Sequence, residues 1–308
     1  MSKTLRLLIP QWQGGNREQY FLGAKLLNWL APESEDETVE VPVDKETANN
    51  ETRDGIVAKD TLLKQYKKTF EILDEKNPDK IVVFGGDCSV ELAPFGYLLE
   101  KYKNEKTAIL WIDAHPDVTT TVDNWKNFHA MVLASLLGEA DKDIDNLVAT
   151  KVKPENVIFA GIDDSREFDR IIYKKYDFKN FTTEEFQKNG DKIVKELKSR
   201  EIKNVIVHFD LDVLDLYEFN SQYFAEPEIF DKYKKKLYIA FGIVFALQVG
   251  SDSFLRPSYS MNLDYDSRVI NGISIYATDN YLRDGIVRVN KDTEVEQTFK
   301  ANRSFNYV

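Results

Sequence analysis

Short β-rich apolar runs recur along this chain: "TLRLLIP" (4–10), "KIVVFG" (80–85), "TAILWID" (107–113), "NVIFAGI" (156–162) and "NVIVHFD" (204–210). Most of the segments between them carry a helical period. "GIVAKDTLLKQYKKTFEILDEKN" spaces Ile56, Leu62, Leu63, Tyr66, Phe70 and Leu73 at helical intervals. "TTEEFQKNGDKIVKELKSR" offers Thr183 as an N-cap and ends in basic residues. Strand, helix, strand repeated in this way predicts an α/β chain with a mainly parallel sheet and helices on both faces. No internal repeat and no Pro/Gly/Ser linker parts the 308 residues, so the expectation is a single domain over 1–308. The C-terminal third shows strand-like pieces around Ile243 and Ile273, and its tail, "VRVNKDTEVEQTFKANRSFNYV", takes no assignment.

In such a sheet the loops gather at the carboxyl ends of the strands, and function sits there. Three strand ends carry side chains able to hold a metal: Cys88 after "IVVFGGD"; Asp113, His115 and Asp117 in "DAHPD"; Asp210, Asp212 and Asp215 in "DLDVLD". While the backbone stays extended, alternate side chains share a face, so each motif aims several groups at one point. Carboxylates gathered there raise one another's pKa unless a cation neutralises them. Mixed carboxylate and imidazole donors suit first-row divalent ions, and the excess of carboxylate over histidine favours Mn(II) over a structural zinc. A lone D-x-D more often caps a helix, and Asp215 reads as a loop cap. His208 shares the parity of Asp210 and Asp212; it reads equally as a hydrogen-bond partner of a ligand carboxylate or as a satisfied core histidine. Gly85 and Gly86 read as a tight turn into a helix whose N-terminus meets Asp87 and Ser89.

The balance of 52 acidic to 41 basic residues gives a net charge of -11, which argues against nucleic acid and anionic membranes as partners. One cysteine cannot form an internal disulfide. The apolar run in "MSKTLRLLIPQWQGG" is too short for a signal sequence, and no window approaches a membrane span, so the expectation is a cytoplasmic protein.

"GGDCS" (85–89), "DAHPD" (113–117), "FHAM" (128–131) and "HFDLDVLDL" (208–216), in that order, resemble the ureohydrolase family of arginase, agmatinase and formimidoylglutamase. That family's motifs read GGDHS, DAHxD, an HGM-type histidine and S-x-D-x-D-x-x-D-P. The resemblance covers roughly residues 1–217. It implies a three-layer α/β/α fold with about eight strands in a mainly parallel sheet. It also implies two Mn(II) ions bridged by Asp113, Asp210 and a hydroxide, with Cys88 and Asp117 completing one shell and His115 and Asp212 the other. His129 takes the place of the family's proton shuttle. The implied reaction is hydrolysis of a guanidino or formimino carbon in a small molecule, and the implied assembly is a homo-oligomer, a trimer or hexamer.

The departures from the pattern are specific. Cys88 replaces the histidine of GGDHS, and a thiolate favours softer ions than manganese. "DVTTTVDNWKNFHAM" lacks the Asn and Ser pattern with which arginases hold an amino acid, so arginine specificity is not supported. Leu216 stands for the motif's proline and Ala130 for the glycine after the shuttle histidine. If "VINGISIYATD" is the final strand, the guanidinium-holding glutamate falls near Ala277. Two expectations follow: a metal-dependent hydrolase of a linear C–N bond, or a catalytically impaired relative with an incomplete metal site and a structural or regulatory role.

Overall fold

A computed structural model describes residues 3–44, 51–162, 170–188, 190–214, 287–289 and 297–299. Contacts divide the chain into two compact units, Met1–Asp210 and Leu211–Val308, taken separately below. Among the described residues, the first unit holds seven parallel strands in two hydrogen-bonded sheets, ordered β2-β1-β5 and β8-β7-β6-β9. The strands are β1 (Thr4–Ile9), β2 (Glu37–Glu40), β5 (Lys80–Gly85), β6 (Thr107–Ile112), β7 (Val157–Ala160), β8 (Lys179–Phe181) and β9 (Asn204–Phe209). A short antiparallel pair, β3 (Thr52–Arg53) and β4 (Ile56–Val57), lies apart from them.

Every residue of β6 is buried, as an apolar strand covered on both faces requires. Helices α1 (Gln19–Leu30), α2 (Lys59–Lys76), α3 (Leu92–Lys101), α4 (Val132–Leu137), α5 (Lys142–Asp145), α6 (Arg170–Tyr176), α7 (Thr183–Lys188) and α8 (Asp191–Ser199) fill the connections. A core built on Leu62, Tyr66, Phe95, Trp111, Phe128 and Phe159 joins α2, α3, β6, β7 and the turn at 128–131.

Two boundaries differ from the sequence expectation. Ile56 belongs to β4; α2 starts at Lys59, after Ala58 turns into the left-handed region at φ 56°. The buried Lys59 ammonium pairs with Asp54, Asp141 and Asp143 at 2.7, 2.8 and 2.9 Å, tying this hairpin to α5. The cap of α7 is Thr182: its hydroxyl accepts from Glu185 N at 3.3 Å while its own N–H donates to the Glu185 carboxylate at 3.2 Å, a reciprocal capping box.

The second unit shows a 3-10 turn at Leu211–Val213 and an antiparallel pair, β10 (Val287–Val289) with β11 (Gln297–Phe299). Asp215, Leu216, Ile243, Ile273, Ala277 and the strand expected in "VINGISIYATD" lie outside the described residues. No described helix is long and apolar enough to cross a membrane.

Candidate metal centre

After β5 the chain passes so close to the loop following β1 that side chains do not fit. A Cβ on Gly86 would stand 2.0 Å from the Gln11 carbonyl oxygen, and one on Gly85 would stand 2.4 Å from Val90 Cγ2. These glycines are required by close approach, since neither has a positive φ. Asp87 caps the 3-10 turn Cys88–Glu91, accepting from Ser89 N at 2.9 Å and from Gly15 N at 3.0 Å. Burial pushes its carboxyl up to about 6 against those donors. Asp87 is thus a brace between two loops, and the brace aims Cys88.

Cys88 is half-buried, and its thiol donates to Asp210 Oδ2 at 3.2 Å. Burial, then the charges of Asp117, Asp210 and Asp113, push the thiol well above its ordinary pKa. The 3-10 turn also carries Glu91, three residues on, a position that puts it on the same side as Cys88.

β6 and β9 lie side by side with Trp111 opposite His208, and the two rings stack at a centroid distance of 3.7 Å and an interplanar angle of 13°. The His208 ring bridges two carboxylates, Nδ1 to Glu91 Oε2 at 2.6 Å and Nε2 to Asp113 Oδ2 at 3.0 Å. Of the two roles open to His208, the contact with Asp113 is the hydrogen bond its parity suggested. Burial opposes a charge on His208, and the two carboxylates overcome it, holding the imidazole pKa well above its usual value. Burial likewise works against an ionised Asp113, but hydrogen bonds from His115 and His208 hold that carboxyl well below the usual range. Asp113 also accepts from the Trp111 indole N–H at 3.2 Å and from His115 N at 2.7 Å.

Alternation by two stops where the strand stops. β6 ends at Ile112, and Asp117 turns into the left-handed region at φ 47°. There its carbonyl accepts from Leu133 N at 3.1 Å and Ala134 N at 3.3 Å at the start of α4. A compact group results in which donor atoms of Cys88, Asp113, Asp117 and His208 all lie within 4.8 Å of one another. Asp210 adjoins this group through Cys88. His115 keeps to the other oxygen of Asp113, with Nδ1 at 3.5 Å from Oδ1. Asp212 occupies the middle of the turn that opens the second unit. Sequence reasoning placed His208 only as a neighbour and missed Glu91 altogether.

His129 sits in a buried 3-10 turn, Phe128–Met131, packed on the turn that carries Cys88. Its Nε2 accepts from the Trp125 indole at 3.3 Å. Burial pushes the imidazole down to about 4, so it is neutral at neutral pH.

Buried anionic donors facing one another at strand ends are the arrangement a divalent cation neutralises, and this donor set fits one. The class defined so far is a parallel α/β protein with a carboxylate-rich centre at its strand ends. A model of the arginase family matches residues 33–220, more than half of the chain, and the protein belongs to that family.

The arginase of Staphylococcus aureus (strain MRSA252) is 33% identical over 143 residues, covering 44% of this chain and 47% of that protein. The arginase of Bacillus subtilis (strain 168) is 29% identical over 186 residues, 57% of this chain and 61% of that one. The chain spans about half the length of the curated relatives it matches. Among solved structures, the arginase from Bacillus caldovelox superposes with a TM-score of 0.62 at 22% identity over 71% of this chain and 78% of its own. Formimidoylglutamase from Bacillus subtilis gives 0.52 at 14% identity over 72% and 69%. These likenesses show the fold, the three-layer α/β/α arrangement of the arginases.

Proposed function

We propose that the protein hydrolyses a C–N bond of a small linear amidine, guanidino or formimino compound at a divalent metal centre. The observation that carries this reading is the buried group of Cys88, Asp113, Asp117 and His208 at the strand ends of an arginase-family chain. A divalent cation held there supplies a water acidified from about 15.7 toward about 7. The chain's own residues would do the rest. Asp113, Asp117 and Asp210 hold the cation's charge, and His115 lies against Asp113. His129, neutral and beside the site, would accept a proton and return it to the departing nitrogen. Asp212 takes its ligand role from the resemblance. Occupancy by two ions, manganese as the metal, one domain over 1–308, a homo-oligomeric assembly and a cytoplasmic location belong to the same proposal.

The loop after "DAHPD" supports a substrate other than arginine, because its polar groups bind one another. Thr120 N and Oγ1 both donate to Asp123 Oδ2, at 2.6 and 2.8 Å, and the Thr119 hydroxyl donates to the Ala130 carbonyl. A second reading, an impaired relative, draws on the protonated Cys88 thiol that donates to Asp210.

Metal analysis of protein loaded with Mn(II), Co(II) or Zn(II), beside urea and ammonia release over a panel of guanidino and formimino compounds, separates the two. Turnover by the wild type supports the hydrolase. Absence of turnover on the whole panel, with an ion and activity gained by Cys88→His, would establish the impaired relative.

A further inference from the structure

The side chain opposite Trp111 does more than fill space. A ring nitrogen of His208 is one of four donor atoms that lie within 4.8 Å of one another, with Cys88, Asp113 and Asp117 supplying the others, and Nε2 is the nitrogen that meets Asp113, at 3.0 Å. Its remaining ring nitrogen meets Glu91 Oε2 at 2.6 Å. A carboxylate on the far nitrogen is how a ligating imidazole is oriented, because it fixes the tautomer and strengthens the donor. Stacking on Trp111 holds the ring plane, and the register of β9 against β6 holds its height. Each ring nitrogen has the one partner a core histidine needs, Glu91 for Nδ1 and Asp113 for Nε2 at 3.0 Å; the Cys88 thiol and the Asp117 carboxylate in the same group are the surplus that points to a ligand.

We propose that His208 is a metal ligand, supplying from β9 the imidazole that position 88 lacks. The inference rests on the reading that this site holds a metal, and it changes which metal. Where the resembled motifs read GGDHS and S-x-D-x-D, this chain reads GGDCS and H-x-D-x-D, so an imidazole is lost at one strand end and gained at another. The resulting donors are one sulfur, one nitrogen and two carboxylate oxygens, with Glu91 as a positioning residue behind His208. Four donors of that mixture suit Zn(II) or Co(II) better than Mn(II), which prefers oxygen. Binding requires the Cys88 thiol and the His208 imidazolium to give up one proton each, and both leave to solvent as the ion arrives.

The full chain holds three histidines, so its imidazole nitrogens are individually assignable. Protein labelled with 15N-histidine and loaded with 113Cd is the direct probe, with zinc and cobalt affinities of His208→Gln, Glu91→Gln and Cys88→His/His208→Ser measured beside it. The expected result is a 113Cd–15N coupling on His208 Nε2 in the wild type. Zinc affinity should fall 10- to 100-fold in Glu91→Gln. The Co(II) form should show a thiolate charge-transfer band that disappears in the double variant while cobalt binding persists. Cadmium bound with no coupling at His208, or zinc affinity unchanged in both Glu91→Gln and His208→Gln, overturns this inference and leaves the metal reading standing. Failure of the wild type to bind cadmium, zinc, cobalt or manganese overturns both. The coupling experiment uses only the wild-type protein, so the outcome stands even if His208→Gln fails to fold.

Discussion

At position 117 an aspartate keeps a left-handed backbone, φ 47°, in a loop that caps α4 and faces other acids. Asparagine tolerates that conformation as well as aspartate does, so Asp117→Asn keeps the turn and removes one charge from the cluster. Metal-free protein should become more stable, while zinc affinity drops at least about tenfold, an opposition that melting curves and isothermal titration detect together. His129 gives the pH prediction. Its imidazole titrates near 6.5 when unfolded and near 4 when folded, so between those values the unfolded chain binds more protons. Stability is therefore complete above about 6.5 and is lost as pH falls toward 4, by on the order of 3 kcal/mol. Urea titrations of wild type and His129→Asn across that window should converge in slope only if this burial is wrong.

Elements repeat the lesson that strand ends decide the chemistry. Removing the capping hydroxyl in Thr182→Ala should cost about 1 kcal/mol in chemical denaturation and leave metal affinity unchanged, since the cap serves α7 alone. The parallel strands were legible because apolar runs such as "TAILWI" have no other use than burial on both faces. Parity along β6 and β9 also brought Asp113, Asp210 and His208 to one side. It carries no further than Ile112 and Phe209, where the backbone leaves the extended state; His115 meets Asp113 from the loop, and Asp117 joins the group through a left-handed turn rather than through alternation. Glu91 was illegible because its contact with His208 spans 117 residues, and no local period encodes such a pairing. The misplacement of Ile56 has a similar origin: a helical spacing of apolar residues ran one turn past the point where Ala58 breaks the helix.

For the whole molecule, the net charge of -11 gathers cations around the chain and leaves the buried acids uncompensated by any general excess of base. A metal that binds the folded state alone must raise its stability, by about 2.7 kcal/mol when its free concentration is a hundredfold above Kd. Thermal unfolding with graded Zn(II), and again after chelation, should show a Tm that climbs with metal; a Tm indifferent to zinc at saturating binding would mean that the unfolded chain binds the ion as tightly as the folded one. The indole of Trp111, stacked on His208 and donating to Asp113, lies against that equilibrium. A ring in van der Waals contact with an imidazolium is a quenched fluorophore, and a closed-shell ion that takes the imidazole nitrogen alters the quenching. Trp111 is therefore a built-in optical gauge of occupancy: zinc should change the emission of the wild type and leave that of Trp111→Phe unchanged, so the protein can be titrated by its own light.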